Sequence, residues 1–181
     1  TYSWTGPNGF SSNLPNPTIT NSTIGNSGSY NLSISGGSCS GSGSTNVTVN
    51  PLPSPNSGVD QNICLGSSAS LTGVISNSSN SFQWSYIAPG ILPVPIVNIS
   101  PNATTLNPTV DMDQIGTYYF ILEEQNALCP IQYDTVIINV SELIISATST
   151  NPTCSGYTDG SISITSSGAS EFSFDGGSTW S

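Results

Sequence analysis

Apolar residues along this 181-residue chain alternate with small polar ones in short runs, and these runs are bounded by Gly, Pro, Asn and Ser. That period of two is the signature of a half-buried strand. It predicts strands at Ala69 to Ile75, Ser81 to Tyr86, Ile96 to Ser100, Thr104 to Val110, Gly116 to Glu123 and Ile131 to Val140. No window of a dozen residues carries helical spacing, so the expected fold class is all-β.

The same pattern occurs twice. Cys39 and Cys129 lie 90 residues apart, and so do Cys64 and Cys154. Trp4 in Thr1-Tyr2-Ser3-Trp4 matches Trp84 in Ser81-Phe82-Gln83-Trp84, and Gly28-Ser29-Tyr30 matches Gly116-Thr117-Tyr118. The alternating run Asn46-Val47-Thr48-Val49 has its counterpart in Thr135 to Val140. A fixed period of this kind marks an array of like units. Pro51, Pro53 and Pro55 cannot donate to a ladder and hold an extended connector, which places a boundary there. The expected organisation is the C-terminal part of one domain over residues 1–50, a complete domain over 51–141, and the opening of a third over 142–181. On this reading the chain is a segment of a longer polypeptide, with any export signal outside it. Six or seven short strands in about 90 residues describe tandem β-sandwiches of immunoglobulin type. Trp84 fits the core tryptophan of the third strand. Asp113 to Tyr118 fits a tyrosine corner, with Trp4 and Tyr30 in the same roles in the preceding unit.

Composition narrows what such an array does. There is no Lys, Arg or His, and ten Asp and Glu give a formal charge of −10. Without cations the chain has no electrostatic grip on nucleic acid or anionic membrane. Without imidazole or amine it has no Ser-His-Asp or Cys-His nucleophile, no Schiff base and no histidine ligand. Ser, Thr and Asn number 35, 19 and 18, which suits strands and turns; no apolar run reaches the ~18 residues of a membrane span. Neither a cofactor nor direct membrane insertion is expected.

At particular residues the pattern becomes specific. Tyr2-Ser3-Trp4-Thr5-Gly6-Pro7-Asn8-Gly9-Phe10, Gly28-Ser29-Tyr30 with Cys39, and Asn62-Ile63-Cys64-Leu65-Gly66-Ser67 resemble the PKD-like and Ig-like repeats of very large surface proteins in the Bacteroidota. Asn151-Pro152-Thr153-Cys154-Ser155-Gly156-Tyr157-Thr158-Asp159-Gly160-Ser161-Ile162 resembles the start of the SprB-type repeat of gliding-motility adhesins. Where that repeat has a Gly-Gly-Thr-Pro turn, this chain reads Ser167-Gly168-Ala169-Ser170. The resemblance implies a secreted, surface-anchored adhesin exported by the type IX system. An even set of cysteines in an exported chain reads as disulfides. The Ig-like arrangement implies a bridge from Cys64 to Cys129; the rival pairing joins Cys39 to Cys64 and Cys129 to Cys154.

Other candidate sites weigh toward structure. Adjacent Glu123 and Glu124 point to opposite faces of a strand and cannot flank one bond. Asp111 and Asp113 precede the tyrosine corner, where solvent exposure and turn capping are expected; a weak Ca²⁺ site using them or Asp159 is the alternative. Trp4 and Trp84 share a core position, whereas Trp180 lies outside it and stays open as a sugar-stacking residue. Asp134-Thr135-Val136 resembles the Asp-Ser/Thr-aliphatic motif of O-glycosylation in Bacteroidota, which would put a glycan on Thr135.

Two functions follow from this reading. The chain is expected to be a non-enzymatic repeat segment of a surface adhesin or filament, partnered by neighbouring repeats and by surface polysaccharide or the substratum. The alternative is an accessory carbohydrate-binding or spacer module of a secreted polysaccharide-degrading enzyme.

Overall fold

The computed structural model describes residues 1–167, Glu171 and Ser173. Gly168 to Ser170 of the expected turn, and Trp180, lie outside the described residues. Among the described residues, every regular element longer than a single 3-10 turn is a strand, and the chain divides into two compact units.

The first unit joins residues 1–53 with 125–132. Its strands β1 (Tyr2–Thr5), β2 (Ser11–Ser12), β3 (Gly28–Gly36) and β4 (Cys39–Val47) form one antiparallel sheet in the order β2-β1-β3-β4. Tyr30 is its anchor at 3% exposure. The hydroxyl donates to the Asn26 carbonyl at 2.8 Å, and Phe10 meets the ring edge-on at a centroid distance of 5.1 Å. This sheet has a single layer, with Trp4 half-buried.

The second unit, residues 54–124 with 133–181, contains a closed sandwich. Its strands are β5 (Gln61–Cys64), β6 (Ser68–Ser70), β7 (Ser81–Ile87), β8 (Val97–Ser100), β9 (Thr109–Met112), β10 (Gly116–Gln125) and β11 (Gln132–Ser141). One sheet runs β5-β11-β10-β7 and the other β6-β9-β8. A parallel first strand beside the last, with the other strands divided in this way, is the immunoglobulin-like sandwich. The cause lies in the alternation: Tyr118, Phe120 and Leu122 of β10, and Val136, Ile138 and Val140 of β11, all face inward and are buried. They cluster with Trp84 of β7, Ala69 and Leu71 at and after β6, and Val110 and Met112 of β9. A further hairpin, β12 (Ile144–Thr150) with β13 (Ser161–Ser167), forms its own antiparallel sheet.

The strand expected at Ala69 to Ile75 is confined to Ser68–Ser70, and two further expectations shift for identifiable reasons. β5 was not among the expected strands, because Gln61-Asn62-Ile63-Cys64 is short and holds few apolar residues. The strand expected at Thr104 to Val110 starts only at Thr109. The Asn102 side chain accepts from the Thr104 N–H and hydroxyl at 3.0 and 2.8 Å, folding Thr104 into a turn. Pro108 then has no N–H for a ladder.

Tyr118→Phe removes one buried hydrogen bond and leaves the ring, so it should lower unfolding stability by about 1 kcal/mol. Phe120→Ala empties a core position and should cost about 3–5 kcal/mol. Urea unfolding, read as a midpoint shift at constant slope, checks both; equal losses would mean that Phe120 is not a core element.

Candidate functional site

The most organised polar chemistry of the chain lies where the sandwich begins. Glu124 continues the inward row Tyr118, Phe120, Leu122 on β10 and is fully buried at 0% exposure. Its carboxylate accepts from the Ser54 N–H at 3.2 Å, the Ser76 N–H and hydroxyl at 2.9 and 2.7 Å, the Asn77 N–H at 3.4 Å, and the Asn80 amide at 2.7 Å. Neutral donors thus do what a cation would do elsewhere. Burial is the largest influence on Glu124 and pushes its pKa up. The hydrogen bonds from Ser76, Asn80 and Asn77 together outweigh it and hold the pKa below the ordinary value.

Two more carboxylates bind the same segment. Asp134 of β11 accepts from the N–H and hydroxyl of buried Ser57, each at 2.8 Å. The Ser57 N–H is the chief cause of its lowered pKa, opposed by burial and aided by the Ser57 hydroxyl and the Thr135 N–H. Asp60 accepts from the Ile137 N–H at 2.8 Å. Asn56 and Val74 exchange backbone bonds at 2.8 Å in both directions. Residues 54–60 are therefore strapped to the sandwich by three carboxylates. Sequence reasoning missed Glu124, although the row Tyr118-x-Phe120-x-Leu122-x-Glu124 was the available signal. Its neighbour Glu123 faces the other way and is half-buried beside the Ser85 hydroxyl.

The expected core residues occupy equivalent places. Trp84 is 1% exposed and donates Nε1–H to the Leu106 carbonyl at 3.1 Å. Trp4 pairs across to Ser12 and Leu32, and its buried Nε1–H finds no acceptor among the described residues. Tyr118 donates to the Gln114 carbonyl at 2.8 Å, four residues back, as Tyr30 does to Asn26. Burial and the Asp113 charge raise the Tyr118 pKa, against a lowering by the Gln114 carbonyl. Gly28 and Gly116 explain the repeated Gly-x-Tyr. They hold φ of 137° and 145°, and a Cβ there would meet Pro7 at 2.8 Å and Pro89 at 2.7 Å.

The expected Cys64–Cys129 bridge is not formed in the structure, where none of the four cysteines is paired. Cys64 ends β5 opposite Ser141, the last residue of β11, whereas Cys129 precedes the first residue of that strand, Gln132, by three positions. A ten-residue strand spans about 30 Å. Three residues reach back about 10 Å at most, so the two cysteines stand well beyond the ~7 Å limit between bridged Cα atoms. Phe120 sits two residues after the corner tyrosine, where immunoglobulin domains place the second cysteine, and Leu71 and Ala69 share its core.

Asp111 is exposed on β9, Asp113 accepts from the Ile96 N–H at 2.7 Å, and Asp159 accepts from the Thr153 N–H and hydroxyl. Thr135 is exposed on β11, next to Asp134.

No protein-family model and no curated protein sequence matches the chain. Among solved structures it is similar to domains 4 and 5 of the S-layer protein SbsC, at 12% identity over 63% of this chain and 58% of that one, with a TM-score of 0.38. It is also similar to the Dpr2 Ig1-Ig2 fragment crystallised with DIP-Theta, at 15% identity over 83% of this chain and 59% of that one, with a TM-score of 0.40. The titin I-band fragment I67-I69 matches at 12% identity over 91% of this chain and 65% of that one, with a TM-score of 0.41. The chain thus spans less than two thirds of the length of each.

The buried carboxylates carry a pH dependence. A carboxyl whose folded pKa lies below its unfolded one stabilises the fold above the unfolded pKa, about 4.3 for Glu. That contribution is lost as pH falls through the folded pKa. Glu124→Gln should therefore be less stable than the parent at pH 7, by about 1–3 kcal/mol for a donor set left mismatched. The gap should narrow on acidification below about pH 4. Urea unfolding at pH 7 and pH 3 measures it; a pH-independent gap would show that the ionised form is not what the donors hold.

Proposed function

We propose that the chain is a tandem-repeat segment of a large secreted surface adhesin or filament, of the PKD-like, Ig-like and SprB-type kind known from gliding Bacteroidota and exported by the type IX route. Its role is to extend from the cell and present surface for attachment to neighbouring repeats, polysaccharide or the substratum. One observation carries the reading: the same Gly-x-Tyr corner, with the tyrosine hydroxyl on the carbonyl four residues back, occurs at Tyr30 and at Tyr118 in one chain. A corner repeated at this period belongs to a unit that is copied in line. The polar chemistry supports a mechanical role, because Glu124, Asp134 and Asp60 are engaged in fastening the start of the sandwich. Carboxylates committed to backbone and hydroxyl donors in this way are not arranged to flank a glycosidic bond, so the reading is non-enzymatic. Thr135, exposed beside Asp134, is the position at which we place an O-linked glycan.

In-frame removal of residues 51–141 from the parent polypeptide should shorten the surface structure and weaken attachment. Asp111→Asn combined with Asp113→Asn should leave attachment unchanged. Electron microscopy and an adhesion assay read the two outcomes. Polysaccharide hydrolysis by the segment, abolished in the double variant, would overturn the assignment in favour of catalysis.

A further inference from the structure

The loop between β7 and β8 is apolar in a chain that is otherwise rich in Ser, Thr and Asn. From Ile87 to Val97 no side chain is polar or aromatic. Its large side chains nevertheless stay out of the core: Leu92 is 89% exposed and Val94 71%, and Ile87, Ile91 and Ile96 are exposed as well.

That exposure follows from how the loop is held. Pro95 is buried, and the Ile91 N–H donates to the Pro89 carbonyl at 2.8 Å. The turn before Tyr118 fixes the rest. Asp113 accepts from the Ile96 N–H at 2.7 Å and donates its own N–H to the Ile96 carbonyl at 3.4 Å, while the Gln114 amide donates to the Pro93 carbonyl at 3.0 Å. Ile115, next in that turn, is exposed too and extends the same apolar surface.

The fold itself does not need this loop. In the first unit, residues 6–10 make the step from the tryptophan-bearing strand to the next, where the second unit uses residues 88–96. Pro7 lies where a Cβ on Gly28 would point, as Pro89 does at Gly116, so the two loops start from a shared frame. Phe10, the one large apolar side chain of the shorter loop, is half-buried against the Tyr30 ring. The longer loop instead holds apolar side chains in water, and contiguous apolar surface of that kind marks a contact site.

The chemistry of the loop selects its partner. With no cation in the chain, an anionic surface finds nothing to neutralise it and is repelled by Asp111 and Asp113. Pro89, Pro93 and Pro95 have no N–H, and those of Ile91 and Ile96 are taken, so a partner strand has no ladder to join. A polysaccharide would bring hydroxyls that this loop leaves unpaired. Leu92 and Val94 stand outward, which suits a broad surface and not a small ligand that needs a concave site.

We infer that the β7–β8 loop is the contact through which the chain attaches to an uncharged, apolar solid surface, with Leu92 and Val94 at its tip. The inference rests on the adhesive reading and narrows the substratum to one class. Attachment by removing apolar area from water does not weaken with salt, and the hydrogen bonds that fix the loop reduce the ordering cost of binding.

Adsorption isotherms of the 181-residue chain on methyl-, hydroxyl- and carboxylate-terminated monolayers, read by surface plasmon resonance at low and high salt, test it. Retention on the methyl surface is expected, undiminished by salt. Leu92→Ser combined with Val94→Ser should weaken that retention about tenfold, through lost apolar burial. Val59→Ser combined with Leu128→Ser removes apolar side chains that are also exposed but lie outside the loop, and should leave it unchanged. Urea midpoints equal to that of the parent verify that both variants are folded. Equal losses in the two variants, no loss in the loop variant, or retention on the hydroxyl surface as strong as on the methyl one would overturn the assignment. A concentration-dependent dimer in sedimentation, abolished in the loop variant, would overturn it in favour of a second copy. The array reading stands in each case, because removal of residues 51–141 tests it separately.

Discussion

Everything in the sandwich depends on one apolar row meeting another across two sheets. Tyr118, Phe120 and Leu122 of β10 and Val136, Ile138 and Val140 of β11 supply one side. Trp84, from the same sheet, fills the middle against Ala69, Leu71, Val110 and Met112 from the other side. No cystine passes through this layer, and no cation is present in the chain. Burial is therefore the main stabilising term, at about 1.5–3 kcal/mol for each fully buried large side chain. A one-residue slip of β10 would turn that whole row to solvent, so the packing also fixes register. The corner hydrogen bond and the positive-φ glycine two residues before Tyr118 then set how the chain enters that strand.

Lack of cations shapes the polar side of the structure as well. A buried carboxylate with no Lys or Arg must be satisfied by neutral donors, and Glu124 gathers five such hydrogen bonds, from Ser54, Ser76, Asn77 and Asn80. Such a group joins segments that are far apart in sequence, here the start of the sandwich and the turn before β7. Carboxylates elsewhere on the surface repel one another over no more than about 8 Å at physiological salt. That is enough to discourage lateral association of copies.

What was legible in the sequence was whatever repeats or alternates. Trp4 with Trp84, Tyr30 with Tyr118, and Gly28 with Gly116 fell into matching places because a sandwich needs a buried indole, a corner hydroxyl and a left-handed glycine at fixed points. The strands of β7, β10 and β11 were visible from their alternation. Less legible were features that depend on partners. β5 is held by its parallel ladder to β11 and carries little hydrophobic signal of its own. Asn16-Pro17-Thr18-Ile19 and Asn107-Pro108-Thr109-Val110 also match, and Thr109 and Val110 of the second stretch pair to β6 and β8. The Ig-like arrangement implied a bridge between Cys64 and Cys129 that the structure does not form, and Phe120 and Leu71 pack in the core instead.

The central claim is that the sandwich is held by its apolar and hydrogen-bonded core, with no contribution from a cystine inside it. Equilibrium unfolding of the 181-residue chain in urea, followed by tryptophan emission with and without reductant after exposure to oxidised glutathione, tests it most directly. The account predicts coincident transitions. A midpoint that falls on reduction would show that a cystine inside the unit contributes to the fold, and would contradict it.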